Sequence, residues 1–359
     1  NLKQFGIAAL NYHDQLKTFP AGACNDWVNG PQNAAHVYAS PHAMLLPYFE
    51  EASLHNLYNQ KVAWFFQFSQ VADRVIPVFV CPSYSGENPI EDTVLNNVLL
   101  FAFSKAGPPP RYYDKGQQLG VTTYSFCKGV TDAWCFGGGK SKTYAPPGPP
   151  WVPAGDRGMF DINWAVPIRK ITDGTSKTIA AGESTGGLAW PVAAAINFAS
   201  RDPRDPLRWK NFGVDGSGLL RNATCAWIIA EPSFDPLGTS GRLVGSTVTA
   251  CTLEPMNKNP VSTAYANVPS QGITICDKSL PGAPGTKDPQ SCPLAADGVT
   301  GQQGRCGRHV TPNFRSDHPG GCNFLFADGS VHYLGEDINM LTYQQLSTMA
   351  GNDVVEIPE

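Results

Sequence analysis

Charge is scarce in this chain: only 16% of its 359 residues are Asp, Glu, Lys or Arg, and the net charge is −4. No long basic run occurs. A protein that neutralises nucleic-acid phosphates needs concentrated Lys and Arg, so that class of partner is excluded. C-x-x-C pairs are also lacking, although ten cysteines are present, which removes the usual zinc-finger and thioredoxin-like signatures. There is no Gly-x-Ser-x-Gly elbow, no His-Glu-x-x-His helix and no Walker loop. No apolar run between residues 1 and 359 is long enough to cross a bilayer. Internal repeats are absent as well.

What is there suits a folded, loop-rich protein. Apolar residues make up 42% of the chain, enough for a substantial core in one large domain or two modest ones. Gly (36) and Pro (31) together are about a fifth of the residues, below the level of low-complexity disorder. The even number of cysteines, spread through Gly/Pro-rich loops, fits disulfides formed outside the cytosol. Proximity suggests the pairs Cys127–Cys135, Cys276–Cys292 and Cys306–Cys322 without fixing connectivity. Buried free thiols in a reduced protein are the alternative.

Leu2, Phe5, Ala9 and Tyr12 recur at helical spacing, which predicts an N-terminal helix ended by Phe19-Pro20-Ala21-Gly22. The helical pattern is already under way at residue 1, as expected either of a chain cut from something longer or of an ordinary N-terminal helix left by processing. A second helical pattern runs from Ala43 through Leu54 and Leu57, with Pro47 near a helix start. Val75 to Pro82 reads as a short buried strand or extended segment, placed at an edge because it contains Pro77. Ile171 to Ser176 predicts a turn and Thr178 to Glu183 a strand. Residues 106–165 and 252–312 lack periodicity and read as loop elaborations of a single domain spanning 1–359.

Near the C-terminus, Asn323 to Ala327 and Ser330 to Leu334 flank Asp328-Gly329, the pattern of a hairpin with a two-residue turn. That register sets Phe326 against Val331, Phe324 against Tyr333 and Leu325 against His332. Thr342 and Gln345 have the spacing of a capping box for a helix through Met349 that stops at Gly351. The expected core includes Leu10, Leu46, Phe79, Ile179, Phe324, Phe326 and Val331.

His318 to Gly329 is a His, nine residues, then Asp-Gly, and it resembles the prepilin-type H-x9-D-G segment of a bacterial family abundant in planctomycetes. Further stretches are similar to that family: Asn11-Tyr12-His13-Asp14, Phe19-Pro20, Leu45-Leu46-Pro47-Tyr48, Ile76-Pro77 to Cys81-Pro82-Ser83, and Ile171 to Ser176 followed by Gly182-Glu183. The resemblance implies an exported type IV pilin-like or pseudopilin-like subunit, extracellular or at the cell surface, with the periplasm also open. It implies an α+β, pilin-like fold: an N-terminal helix packed on an antiparallel sheet, with large disulfide-tied loops. It also implies a hydrophobic helix upstream of Asn1, through which other pilin-like subunits would be gripped. Names suggesting solute binding have been attached to the same family.

Within this frame His318, Asp328 and Gly329 read as structural, because a turn Asp is explained by backbone geometry. The His318 ring is expected to bond a loop carbonyl. The absence of any spaced catalytic set indicates a protein that is not an enzyme. Asp156, Asp161, Asn163 and Asp173 are loop oxygens of the kind that bind Ca²⁺, although they lack EF-hand spacing. Trp134, Tyr144, Trp151 and Trp164 offer flat faces for a glycan, the basis of an alternative role as an extracellular carbohydrate- or solute-binding protein.

Overall fold

In a computed structural model of the chain, the described residues are 1–24, 37–62, 64, 67–91, 118–130, 154–161, 164–187, 189–190, 225–229, 248–252, 255–259, 312–352 and 355–358. Helix α1 (Leu2–Leu16) buries Leu2, Phe5, Gly6, Ala8 and Ala9. It ends where Lys17 turns left-handed, with φ 61°, and its N–H bonds back to the His13 carbonyl. The second pattern breaks into short pieces: α2 (Pro41–Leu45), a 3-10 turn at Leu46–Phe49 and α3 (Ala52–Leu57). The four-residue helix α4 (Ser69–Ala72) follows.

The expected edge strand at Val75–Pro82 is not a strand. Pro77 opens a 3-10 turn, Pro77–Phe79, that drives Phe79 into the core. Proline has no N–H for a sheet ladder but suits the first position of a turn.

Five strands form one sheet: β1 (Tyr124–Cys127), β2 (Ile179–Glu183), β3 (Thr249–Ala250), β4 (Gly321–Phe326) and β5 (Val331–Gly335), in the order β3-β1-β2-β4-β5. The β1–β2, β2–β4 and β4–β5 pairs are antiparallel, but β3 runs parallel to β1, so the sheet is mixed rather than purely antiparallel. Strand β1 has strands on both sides, so the 106–165 segment, read from sequence as a loop, contributes an interior strand of the sheet. The fold is a mixed α/β arrangement of one sheet and few helices.

Both faces of the sheet are covered. On one side α1 packs against β4, and Phe5 sits among the rings of His42, Phe49, Phe79, Tyr124 and Phe126 at centroid distances of 4.9–6.0 Å. On the other side Phe324, Phe326, Leu334 and Ile179 pack with Tyr343 and Leu346 of α5 (Met340–Ser347). Of the expected core, Leu46, Phe79, Ile179, Phe324 and Phe326 are buried, Leu10 is half-buried and Val331 is exposed.

The misplaced Val331 traces to the hairpin register. Leu325 faces Val331, Phe324 faces His332 and Asn323 faces Tyr333, one residue away from the two-residue-turn reading. Phe326 pairs with Ser330 across Ala327-Asp328-Gly329, with Gly329 N–H donating to the Phe326 carbonyl and Gly329 at φ 84°. This is a three-residue loop ending in a left-handed glycine, which Asp-Gly satisfies as readily as the shorter turn. A one-residue slip sends each side chain to the opposite face. Helix α5 likewise begins earlier than its sequence signature: Asn339, not Thr342, is the cap, accepting from the Leu341 and Thr342 N–H groups.

Disulfides are absent among the described residues. Cys24, Cys81, Cys127 and Cys322 are free thiols, and Cys135, Cys276, Cys292 and Cys306 lie outside the described residues. Cys127 and Cys322, each assigned a partner from sequence, are buried in packed cores. There Cys127 donates to the Ser347 carbonyl and Cys322 to Asn257 Oδ1.

Candidate functional site

Three side chains far apart in sequence meet at the end of the sheet near the start of α1. Cys81 follows the 3-10 turn Pro77–Phe79, Glu183 is the last residue of β2, and His318 lies in the turn that leads into β4. Cys81 is anchored through its N–H, which donates to Thr123 Oγ1 at 2.6 Å. The Asn1 side chain donates to the neighbouring Val80 carbonyl at 2.5 Å, tying the first residue of the chain to the same corner.

The functional atoms converge on one another. Cys81 Sγ lies 3.3 Å from Glu183 Oε1 and 3.5 Å from His318 Nε2, and His318 Nε2 lies 3.3 Å from Glu183 Oε1. Ser83 Oγ is 3.0 Å from the sulfur and 3.5 Å from the same imidazole nitrogen. Cys81 and Glu183 are buried, whereas the His318 side chain is 37% exposed, so the group opens to solvent on the histidine side.

A second layer holds these groups in place. Glu183 Oε2 accepts from Ser316 Oγ at 2.8 Å, from the Asn323 N–H at 2.8 Å and from Asn323 Nδ2 at 3.2 Å, which leaves Oε1 aimed at the cysteine and histidine. Asp317 fixes the turn beneath His318 by accepting from Trp190 Nε1 at 2.8 Å and from Thr185 Oγ1 at 3.2 Å. Burial, and then the nearby Cys81, push the Tyr124 hydroxyl well above the usual tyrosine range, so it stays protonated beside the sulfur. Burial lowers the Arg315 guanidinium to about 10, with Cys225, Cys322 and Asp317 opposing the shift.

A cysteine, a histidine and a glutamate invite comparison with a nucleophile, a base and an orienting acid. In such a relay the base meets the nucleophile through one ring nitrogen and the acid through the other. Here Cys81 and Glu183 both approach Nε2, which can carry only one proton. The arrangement is three ligand atoms around a common centre, and among the described residues it is the set of three His, Cys, Asp or Glu ligand atoms able to hold a metal ion.

His318 therefore faces a thiol and a carboxylate, where a loop carbonyl was expected. Asp328 belongs elsewhere: its Oδ1 accepts from the Ser330 N–H and Oγ in the hairpin loop. The six residues of β4 separate that loop from His318, a distance of roughly 17 Å or more at the rise of a strand. The two ends of the H-x9-D-G segment do not meet. Gly329 supplies the left-handed residue of the same loop.

Of the candidate calcium ligands, Asp156, Asp161 and Asp173 are among the described residues. Asp161 pairs with Lys128 at 3.1 Å, and Asp173 accepts from the Gly351 and Asn352 N–H groups at 2.7 and 2.9 Å. Asp156 lies in a 3-10 turn, where burial raises its pKa, and Asn163 lies outside the described residues. Of the aromatic set, Trp134, Tyr144 and Trp151 lie outside the described residues. Trp164 has the Arg157 guanidinium over its ring, 5.1 Å from the centroid.

Sequence reasoning singled out Cys81, Glu183 and His318 only as separate family landmarks. Their joint signal was that all three fall within motif stretches, but no short spacing connects them. No curated protein and no solved structure matches the chain. Residues 1–341 match the model of a family described as "Protein of unknown function (DUF1559)", and the chain belongs to that family.

Proposed function

We propose that the chain is a pilin-like or pseudopilin-like subunit, exported and assembled into a surface filament or secretion-type structure, and not an enzyme. The observation that carries this reading is the seat of α1 on the sheet. Phe5 and Gly6 pack down onto β1 and β4, and Lys3 Nζ donates to the Gly329 carbonyl at 2.7 Å. A helix laid across a mainly antiparallel sheet is the arrangement that the resemblance to pilin-like proteins implies. On the resemblance described above, an apolar helical extension ahead of α1 would grip neighbouring subunits. The alternative, a carbohydrate- or solute-binding role, rests on Trp134, Tyr144, Trp151 and Trp164, of which Trp164 is among the described residues, with the Arg157 guanidinium over its ring.

Shearing cells that express the native gene product and probing the released fraction tests the assembly reading. Ile7 is exposed on α1, so an Ile7→Cys variant can report contacts between copies. A ladder of crosslinked species in the sheared fraction is the expected result. A product confined to the cytosol and monomeric after crosslinking would refute the reading.

A further inference from the structure

We propose that Cys81, Glu183 and His318 form a binding site for a thiophilic divalent metal ion, with Zn²⁺ the best match. A tetrahedral zinc ion bonded at about 2.0–2.1 Å to nitrogen and oxygen and about 2.3 Å to sulfur sets its ligand atoms about 3.3–3.6 Å apart. The three separations here are 3.3, 3.3 and 3.5 Å. A point displaced from the plane of the three atoms lies about 2.0–2.1 Å from the nitrogen and oxygen and about 2.3 Å from the sulfur, the bond lengths the ion requires.

Electrostatics agree with the spacing. A buried carboxylate beside a buried sulfur is repulsive once the thiol ionises, and a dication between them turns that repulsion into attraction. Binding converts the Cys81 thiol to thiolate and releases its proton to solvent, while His318 coordinates as neutral imidazole through Nε2. The thiolate selects against Ca²⁺ and Mg²⁺, which take oxygen ligands. The support around the site is of the kind metal centres need: Ser316 and Asn323 saturate Glu183 Oε2 and so hold Oε1 on the ion. The Ser83 hydroxyl, 3.0 Å from the sulfur and 3.5 Å from the imidazole nitrogen, or a water is left to supply the fourth ligand. This inference stands apart from the assembly reading and survives if that reading fails.

The test uses the full chain, reduced and stripped with chelator, then dialysed against Zn²⁺ alone and, separately, Co²⁺ alone. One equivalent of zinc is expected, and the cobalt form should show thiolate charge-transfer absorption with the intense visible bands of a tetrahedral ion. Cys81→Ser should abolish the charge-transfer band and His318→Gln should abolish stoichiometric binding. Ser316→Ala should weaken binding roughly 10- to 100-fold. Cys24→Ser, remote from the three ligands, should change nothing. Because His318 is partly exposed, His318→Gln is the variant that keeps the fold, checked by an unchanged thermal midpoint in chelator. Less than one equivalent bound to the folded wild type overturns the proposal. So does binding at unchanged affinity in either Cys81→Ser or His318→Gln.

Discussion

Asn323 grips Glu183 twice, its backbone N–H and its side-chain amide both donating to Oε2, at 2.8 and 3.2 Å. Ser316 Oγ adds a third donor at 2.8 Å, and the glutamate side chain is only 3% exposed. Glu183→Ala strands these buried donors and is expected to destabilise the metal-free protein by about 1–3 kcal/mol. Glu183→Gln can keep its carbonyl oxygen on the same donors and should lose less than about 1 kcal/mol. Urea unfolding in chelator measures both. Equal losses in the two variants would mean that the donors do not depend on this acceptor.

His42 gives the fold an acid-sensitive point. It is fully buried among Phe5, Phe79 and Phe126, with Nε2 3.0 Å from Thr122 Oγ1, and burial lowers its pKa from 6.5 to about 3. The unfolded chain therefore takes up a proton between those values that the folded chain refuses. Stability from this group is complete above the unfolded value near 6.5 and is lost as pH falls toward 3. Between pH 6 and pH 4 the loss should reach about 2 kcal/mol. His42→Leu should flatten that part of the pH profile, whatever its effect at pH 7. Urea midpoints at several pH values for both proteins decide it, and parallel profiles would refute the assignment.

The helix–sheet contact depends on a missing side chain. A Cβ on Gly6 would lie 2.8 Å from Leu325 Cδ1 and 3.2 Å from the Gly329 Cα. Gly6→Val must lift α1 from the hairpin and is expected to destabilise by about 1–3 kcal/mol. Gly6→Ala has a smaller effect, because the leucine tip can shift and alanine recovers up to about 1 kcal/mol of helix propensity. A valine variant as stable as wild type would show that α1 has freedom to move here.

Thiol chemistry distinguishes the free-cysteine structure from the disulfide framework suggested by sequence. Burial pushes the Cys127 thiol up to about 12 and the Cys24 thiol up to about 11. At pH 8 Cys127 should react with a thiol reagent roughly 1000-fold more slowly in the native protein than in denaturant. Mass mapping of an alkylated, unreduced sample should find Cys127 and Cys322 carrying the label after denaturation. Recovery of either in a disulfide would contradict the structure.

The sequence was legible where local patterns decide. The stripe Leu2, Phe5, Ala9 placed α1, the Ile171–Ser176 turn placed the start of β2, and Asp328-Gly329 placed the hairpin. It misled where two local solutions share one signature. Asp-Gly serves both a two-residue and a three-residue loop, and the choice moved Val331 out of the core. Thr342 has the spacing of a cap, but the Asn339 side chain accepts from the Leu341 and Thr342 N–H groups and starts α5 about one turn earlier.

By itself the sequence determined membership of the family of unknown function, the N-terminal helix, the buried places of Leu46, Phe79, Ile179, Phe324 and Phe326, and the absence of any familiar local catalytic motif. Those properties follow from periodicity, composition and short spacing, which are written along the chain. Only the tertiary structure decided that Cys81, Glu183 and His318 share one corner, and that Asp328 does not join them. The ends of β2 and β4 and the turn before Cys81 are brought together by pairing across the sheet and burial beneath α1. Such contacts depend on the three-dimensional path of the backbone, and no spacing in the linear sequence encodes them.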